Sequence, residues 1–191
     1  MDAPGKRGNI VRAALELFVE NGFHGAPMAM IADKAGVGAG TIYRYFKCKD
    51  ELITELFDEM AHKLVAALQA NYDPHKPLRE RFIQIGKTYI AYAISHPLDF
   101  RYMELYQNSP YGIPFRRARI LSRKDSQGIV IGLFDEAIAQ QVIKDLPLPT
   151  LIALAFGPLK TVIRDHIFDF FMLYDALIVR TIEACWDGIK R

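Results

Sequence analysis

The chain is poor in cysteine, nearly without net charge, and has no uninterrupted apolar run of membrane-spanning length. Only Cys48 and Cys185 occur, far apart and in no paired motif. No disulfide framework or zinc site is expected, and a reducing compartment is the natural setting. The N-terminal MDAPGKRGNIVRAAL lacks the apolar core of a signal peptide. The most apolar stretch, Leu146 to Ile163, is cut by Pro147, Pro149, Pro158 and Lys160, so no membrane span is expected. These absences predict a soluble, cytoplasmic protein. The five histidines (His24, His62, His75, His96, His166) fall at no ligand spacing with one another or with a cysteine. No metal and no cofactor are therefore expected. No nucleophile–base pairing is readable, which argues against an enzyme.

What the chain does contain is apolar residues at helical spacing. Of its 191 residues, 51% are hydrophobic, enough for one sizeable core or for a small unit joined to a larger one. Ile10, Ala14, Leu17, Phe18 and Asn21, widened by Val11 and Leu15, form one stripe, and Asn21-Gly22 is a stop. Pro27 suits the first turn of a short second helix carrying Met28, Ile31, Ala32 and Ala35. A third short helix spans Ala39 to Phe46, and a fourth begins near Lys49 with Leu52, Ile53, Leu56, Phe57, Met60, Leu64 and Leu68 on one face. Further helices are predicted at about Pro77 to Ser95, to Gln107, Phe115 to Lys144, Pro149 to His166 and Phe170 to Lys190. No convincing alternating strand appears. The expected fold class is all-α: three short helices within residues 1–50, then a connecting fourth helix and a bundle of longer ones in residues 51–191.

The stretch AGVGAGTIYRYFKCKDEL, residues 35–52, decides between two chemistries. A nucleotide-binding G-x-G-x-x-G loop needs glycine where Thr41 stands, and a strand before it, whereas an amphipathic helix precedes it here. No Gly-Lys-Ser/Thr occurs either. A helix-turn-helix explains more. Ile31, Ala35, Val37, Ile42 and Phe46 would pack with the first helix, leaving Ala39, Gly40, Thr41, Tyr43, Arg44 and Tyr45 outward for duplex DNA. Charge agrees weakly. Up to residue 49, seven basic residues face four acidic ones, giving +3 against an overall +2.

The run from Ile10 to Phe18, with Gly22-Phe23, Ile31-Ala32, Ala35-Gly36-Val37 and Gly40 to Leu52, resembles the DNA-binding domain of TetR-family transcriptional regulators. The resemblance covers about residues 8–55. It implies a homodimeric repressor of a double-stranded DNA operator, released by a small-molecule inducer, with residues 1–50 as an N-terminal helix-turn-helix DNA-binding domain and residues 51–191 as a larger helical ligand-binding and dimerisation domain. It assigns Thr41, Tyr45 and Lys49 to phosphates, and Ala39, Gly40, Tyr43 and Arg44 to bases. The sequence departs from the family where capping hydroxyls are usual, with Ala26-Pro27, Gly38 and Cys48. Each absent cap costs about 0.5–2 kcal/mol. The alternative reading is a helical small-molecule-binding protein with weakened or lost DNA binding.

In the remaining chain, soft and aromatic residues suggest a pocket for a hydrophobic or aromatic ligand: Met60, Leu64, Tyr89, Tyr92, Met103, Phe134 and Phe156. The last two helices look too apolar for solvent. Leu151, Ala155, Leu159 and Val162 on one, with Phe171, Tyr174, Ile178 and Ile182 on the other, are the expected dimer interface. The basic run at Phe115 to Arg119, with Arg123 and Lys124, reads as a solvated helix face.

Overall fold

The computed structural model describes residues 5–114, 117 and 128–191. Among them the chain is helical, with no named strand; one isolated antiparallel bridge joins Ile143 to Lys190. The helices are α1 Lys6–Gly25, α2 Met28–Lys34, α3 Ala39–Tyr45, α4 Lys49–Ala70, α5 Leu78–Ser95, α6 Pro97–Gln107, α7 Ile129–Ala139, α8 Leu148–Ile167 and α9 Asp175–Ile189. The predicted basic run falls almost entirely outside the described residues, as does the first part of the helix expected from Phe115.

Two compact units divide the chain. The first joins Met1–Lys63 to Leu98–Pro114, and the second joins Leu64–Pro97 to Phe115–Arg191. This differs from a cut at residue 50, and hydrogen bonds and rings explain why. The Tyr102 hydroxyl donates to the Ile53 carbonyl at 2.7 Å, and its ring meets Phe23 edge-on at 5.8 Å. Tyr106 stacks on Phe57 at 4.0 Å. Tyr111 packs on Phe23 at 5.2 Å and donates to Asp50 at 2.9 Å. Segment 98–114 is thus bound to the N-terminal helices by three tyrosines, Tyr102 and Tyr106 buried and Tyr111 half-buried. Burial holds the Tyr102 phenol protonated, well above its ordinary range.

In the first unit, Gly22 interrupts α1 at φ 70, ψ 173, so the final turn to Gly25 follows a kink. The α2–α3 turn is built by Gly36, at φ 66. Its N–H donates to Asp33 O at 3.1 Å, and the Val37 N–H donates to Ala32 O at 3.0 Å. These are the two bonds of a Schellman stop, which favours glycine at its left-handed position. Ile10, Phe18, Ile31, Ile42, Phe46, Leu52, Ile53 and Leu56 form the core.

In the second unit α9 packs on α8 and α5, and α5 also packs on α7 and α8. At Gly86 of α5, a Cβ would come within 2.8 Å of Ile182 Cγ2 on α9, so only glycine permits that approach. Arg81 is buried. It donates to the Tyr72 hydroxyl at 2.8 Å and to Glu136 at 2.7 Å, bringing the α4–α5 loop and α7 to one side chain.

Two helix boundaries correct the sequence reading. α7 ends at Ala139 rather than near Lys144, and α9 starts at Asp175 rather than Phe170. The first correction follows from a left-handed stop without glycine, and a second such stop ends α8 where the sequence reading placed it, near His166. Gln141 has φ 57, with its N–H bonded to Ile138 O and the Val142 N–H to Ala137 O. Asp169 has φ 59, with its N–H bonded to His166 O and the Phe170 N–H to Asp165 O. Beyond Gln141, residues 142–144 pair with the chain end: Lys144 N–H donates to Ile189 O and Arg191 N–H to Val142 O.

Candidate nucleic-acid interface

The third helix is seven residues long, and its faces separate sharply. Ile42 and Phe46 are buried, Phe46 completely, while Tyr43 is 55% and Tyr45 43% exposed. Ala39, Gly40 and Arg44 are also exposed, and Thr41 is half-buried. Arg44 has no ion-pair partner among the described residues. A helix with hydroxyls, small residues and a free guanidinium on one side, held by two apolar anchors on the other, suits groove insertion.

The anchoring extends behind it. Arg7 on α1 lies over the Phe46 ring at 5.4 Å and forms ion pairs with Glu55 at 3.0 Å and Glu59 at 2.5 Å on α4. Those pairs raise the Arg7 pKa, the Glu59 hydrogen bond foremost. Arg7 is therefore committed to holding α1 on α4. Lys34 is likewise drawn to Glu16, at 3.0 Å, and their hydrogen bond lowers the Glu16 pKa.

The absent caps are visible. Pro27 and Gly38, at the N-cap positions of α2 and α3, supply no side-chain hydrogen bond. At α4 a substitute exists: the Glu51 carboxylate accepts from the Lys47 backbone N–H, a reach back from the first helical turn like that of a capping box. Cys48 is exposed. The two lysines around it differ. Lys49 is half-buried with its ammonium 5.8 Å from the Phe18 ring centre, and desolvation lowers its pKa. The Lys47 side chain is exposed and has no partner among the described residues. Sequence reasoning singled out Lys49 and passed over Lys47, although both flank the same motif.

The ligand candidates are divided between the units. Tyr89, Phe134 and Phe156 belong together in the second unit. Phe156 is the hub, 6.2 Å from Tyr89, 6.3 Å from Phe134 and 5.9 Å from Phe82, and Phe82 lies 5.3 Å from Trp186. Phe82 and Trp186 were not among the sequence candidates. Tyr92, also in that unit, stacks on His96 at 4.4 Å. Leu64 opens the unit in sequence and is half-buried. Met60 and Met103 are buried in the first unit.

The dimer candidates separate as well. Leu151, Ala155, Leu159 and Ile182 are 0% exposed within one chain, so its own helices already cover them. Val162 and Ile178 are half-buried, whereas Phe171 and Tyr174 are exposed. An apolar stripe reveals that a face is covered, not what covers it.

Comparison with known proteins accords with this geometry. The sequence model described as bacterial regulatory proteins, tetR family, matches residues 10–56. That described as tetracyclin repressor-like, C-terminal domain, matches residues 77–190. The chain belongs to the TetR family. It is thus a DNA-binding transcriptional regulator with an N-terminal helix-turn-helix and a C-terminal helical domain. Among relatives of this TetR-family protein, the fatty acid metabolism regulator protein of Bacillus subtilis is 30% identical over 138 residues, covering 71% of this chain and 70% of the relative. An uncharacterised HTH-type transcriptional regulator of Haemophilus influenzae is 28% identical over 185 residues, 95% of this chain and 94% of its own. Among solved structures, a TetR-family regulator from Marinobacter aquaeolei has TM-score 0.85 at 24% identity, covering 97% of this chain and 95% of that one. A putative TetR-family regulator from Vibrio parahaemolyticus has TM-score 0.75 at 31% identity, covering 97% and 99%.

Other features of this TetR-family chain bear on its chemistry. Among the described residues no group of three or more His, Cys, Asp or Glu gathers as metal ligands would, and no helix is long and apolar enough to cross a membrane.

Proposed function

We propose that this regulator is a cytoplasmic homodimeric repressor of a palindromic operator, released when an apolar ligand occupies the second unit. The outward face of α3 carries the reading: Tyr43, Arg44 and Tyr45 are exposed while Ile42 and Phe46 are buried behind them. Two such helices about one DNA turn apart, roughly 34–36 Å, would read two half-sites. Thr41, Tyr45 and Lys49 would contact phosphates, with Ala39, Gly40, Tyr43 and Arg44 over bases.

Fatty acyl compounds are the first ligand class to test. The Bacillus subtilis relative is named for fatty acid metabolism, and a solved transcriptional regulator FadR from the same species was determined in complex with stearoyl-CoA, at 21% identity and TM-score 0.72. In this chain the rings around Phe156 offer an apolar interior in the second unit. Release requires the ligand to bind the DNA-incompetent state more tightly than the DNA-bound one.

Fluorescence anisotropy with labelled DNA from upstream of the gene tests both parts. Sequence-preferring binding that weakens steeply between 50 and 200 mM salt is expected for a regulator contacting several phosphates. Stearoyl-CoA should then lower affinity. Unchanged affinity refutes acyl thioesters as the inducer class. Absence of any sequence preference favours the second reading, a ligand-binding protein with lost DNA recognition, for which the uncapped starts of α2 and α3 speak.

A further inference from the structure

The Tyr111 side chain touches the first unit at two places that bracket the helix pair α2–α3. Its ring meets Phe23 edge-on, with centroids 5.2 Å apart. Its hydroxyl donates to Asp50 Oδ1 at 2.9 Å. Phe23 lies five positions before α2 begins, and Asp50 lies five beyond the end of α3. One side chain from far along the sequence thus sits across the entry and the exit of the pair that presents Tyr43 and Arg44.

The exit matters because α3 has little else to set its attitude. The helix is seven residues long, and its start carries no side-chain cap. Of residues 39–46, only Ile42 and Phe46 are buried. Three residues, Phe46, Lys47 and Cys48, join α3 to α4. Glu51 accepts from the Lys47 N–H, and the Leu52 N–H donates to Cys48 O at 3.3 Å, so the joint is stiff. A short helix on a stiff joint follows any rotation of the first turn of α4, and Asp50 belongs to that turn.

The turn that carries Tyr111 is itself fixed. A Cβ at Gly112 would fall 2.3 Å from Tyr106 O, so only glycine lets the chain pass this close to the end of α6. Ser109 is buried, and its Oγ donates to the same carbonyl at 2.7 Å. The Gly112 N–H closes the turn on Ser109 O at 3.1 Å. Desolvation first, and then the Asp50 carboxylate, raise the phenol's pKa above its ordinary value, so the hydroxyl stays a donor.

We propose that Tyr111 is a positioning residue for DNA binding, which clasps the entry and exit of α2–α3 and holds α3 in the attitude that meets the duplex. The proposal rests on the reading of α3 as the groove-entering helix. In this role Tyr111 touches no base or phosphate; it acts through Asp50 and the α3–α4 joint. Packing on Phe23 needs only a ring, and phenylalanine would supply it equally well. The hydroxyl is the part that packing does not explain. A bond to an exposed carboxylate adds little to a core but fixes a direction. Without it the joint can rotate, the fraction of molecules with α3 correctly set falls, and apparent DNA affinity falls by the same factor.

Fluorescence anisotropy with the labelled upstream duplex tests the proposal on a double-mutant cycle. Wild type, Tyr111→Phe, Asp50→Ala and the double variant are compared as full chains, well below the melting temperature. Tyr111→Phe keeps the ring on Phe23, so far-UV circular dichroism should match wild type. It should weaken DNA binding by about 3- to 10-fold, the equivalent of one net hydrogen bond. The salt slope should not change, since no phosphate contact is removed. In the Asp50→Ala background, where the acceptor is gone, the same substitution should change nothing. Amide exchange at residues 46–52 of the free protein should quicken in Tyr111→Phe, while α8 and α9 exchange as in wild type. A Tyr111→Phe variant that binds as tightly as wild type, or whose joint exchanges at the wild-type rate, overturns the proposal. So does a loss that persists in the Asp50→Ala background or flattens the salt slope, since Tyr111 would then touch DNA itself. A wild type without sequence-preferring binding overturns the reading of α3, and the proposal with it.

Discussion

Two parts of this molecule expose aromatic side chains, and they expose different ones. Helix α3 shows Tyr43 and Tyr45, with Thr41 and Arg44 alongside; the turn before α9 shows Phe168, Phe170, Phe171 and Met172, with a single tyrosine at its end. A tyrosine hydroxyl stays hydrated when the site is empty and can meet a phosphate when it is full. A phenylalanine has no such hydrated end. The difference in end groups leaves α3 with hydroxyls that can bond a wet polyanion and leaves most of the turn's rings with no polar end to offer.

The contrast can be broken most violently from behind α3. Phe46→Ala deletes a fully buried ring. It should cost about 3–5 kcal/mol. Calorimetry should show the first unit melting earlier, with DNA affinity lost and dimer mass retained. Arg44→Ala comes next. A lost bidentate base contact should relax discrimination at one operator position by about 1–3 kcal/mol, read from a panel of single-base operator variants. A loss equal across the panel would make Arg44 a phosphate contact instead. Tyr45→Phe sharpens the comparison by giving α3 the chemistry of the turn; without the hydroxyl, DNA affinity should fall by about 0.5–1.5 kcal/mol in anisotropy titrations. Smallest is Lys47→Ala. The free ammonium should contribute one phosphate contact, so the slope of log affinity against log salt should become shallower by about 0.9. Lys49→Ala, which removes the cation over Phe18, should also lower the melting temperature, in keeping with about 0.5–1 kcal/mol for an exposed cation–π contact.

The head was legible because its punctuation is conspicuous. Gly22, Pro27 and Gly36 announce their breaks, and the alternation of inward Ile42 and Phe46 with outward neighbours is a local pattern. The missed stop after α7 is equally sharp in structure, yet Gln141 adopts left-handed backbone without advertising it, since the residue also serves inside helices. The division at Lys63 and Leu98 was illegible for another reason. It depends on Tyr102 reaching Ile53 and Tyr111 reaching Asp50, contacts 49 and 61 residues apart that no periodicity encodes. The stripe of Leu151, Ala155 and Leu159 was read correctly as buried in kind, but periodicity is silent on whether the cover comes from the same chain. Lys47 and Lys49 are the same residue type two positions apart, and only coordinates separate a cation lying on a ring from one standing free.

The chain's sole tryptophan, Trp186, sits beside Phe82 in the ring cluster of the second unit, and the first unit has none. Tryptophan emission, excited selectively over tyrosine, therefore reports from one unit alone. A compound that enters among those rings should shift the emission directly. Operator DNA can alter it only if a conformational signal crosses from one unit to the other, so a plain fluorimeter can time that crossing without any attached dye.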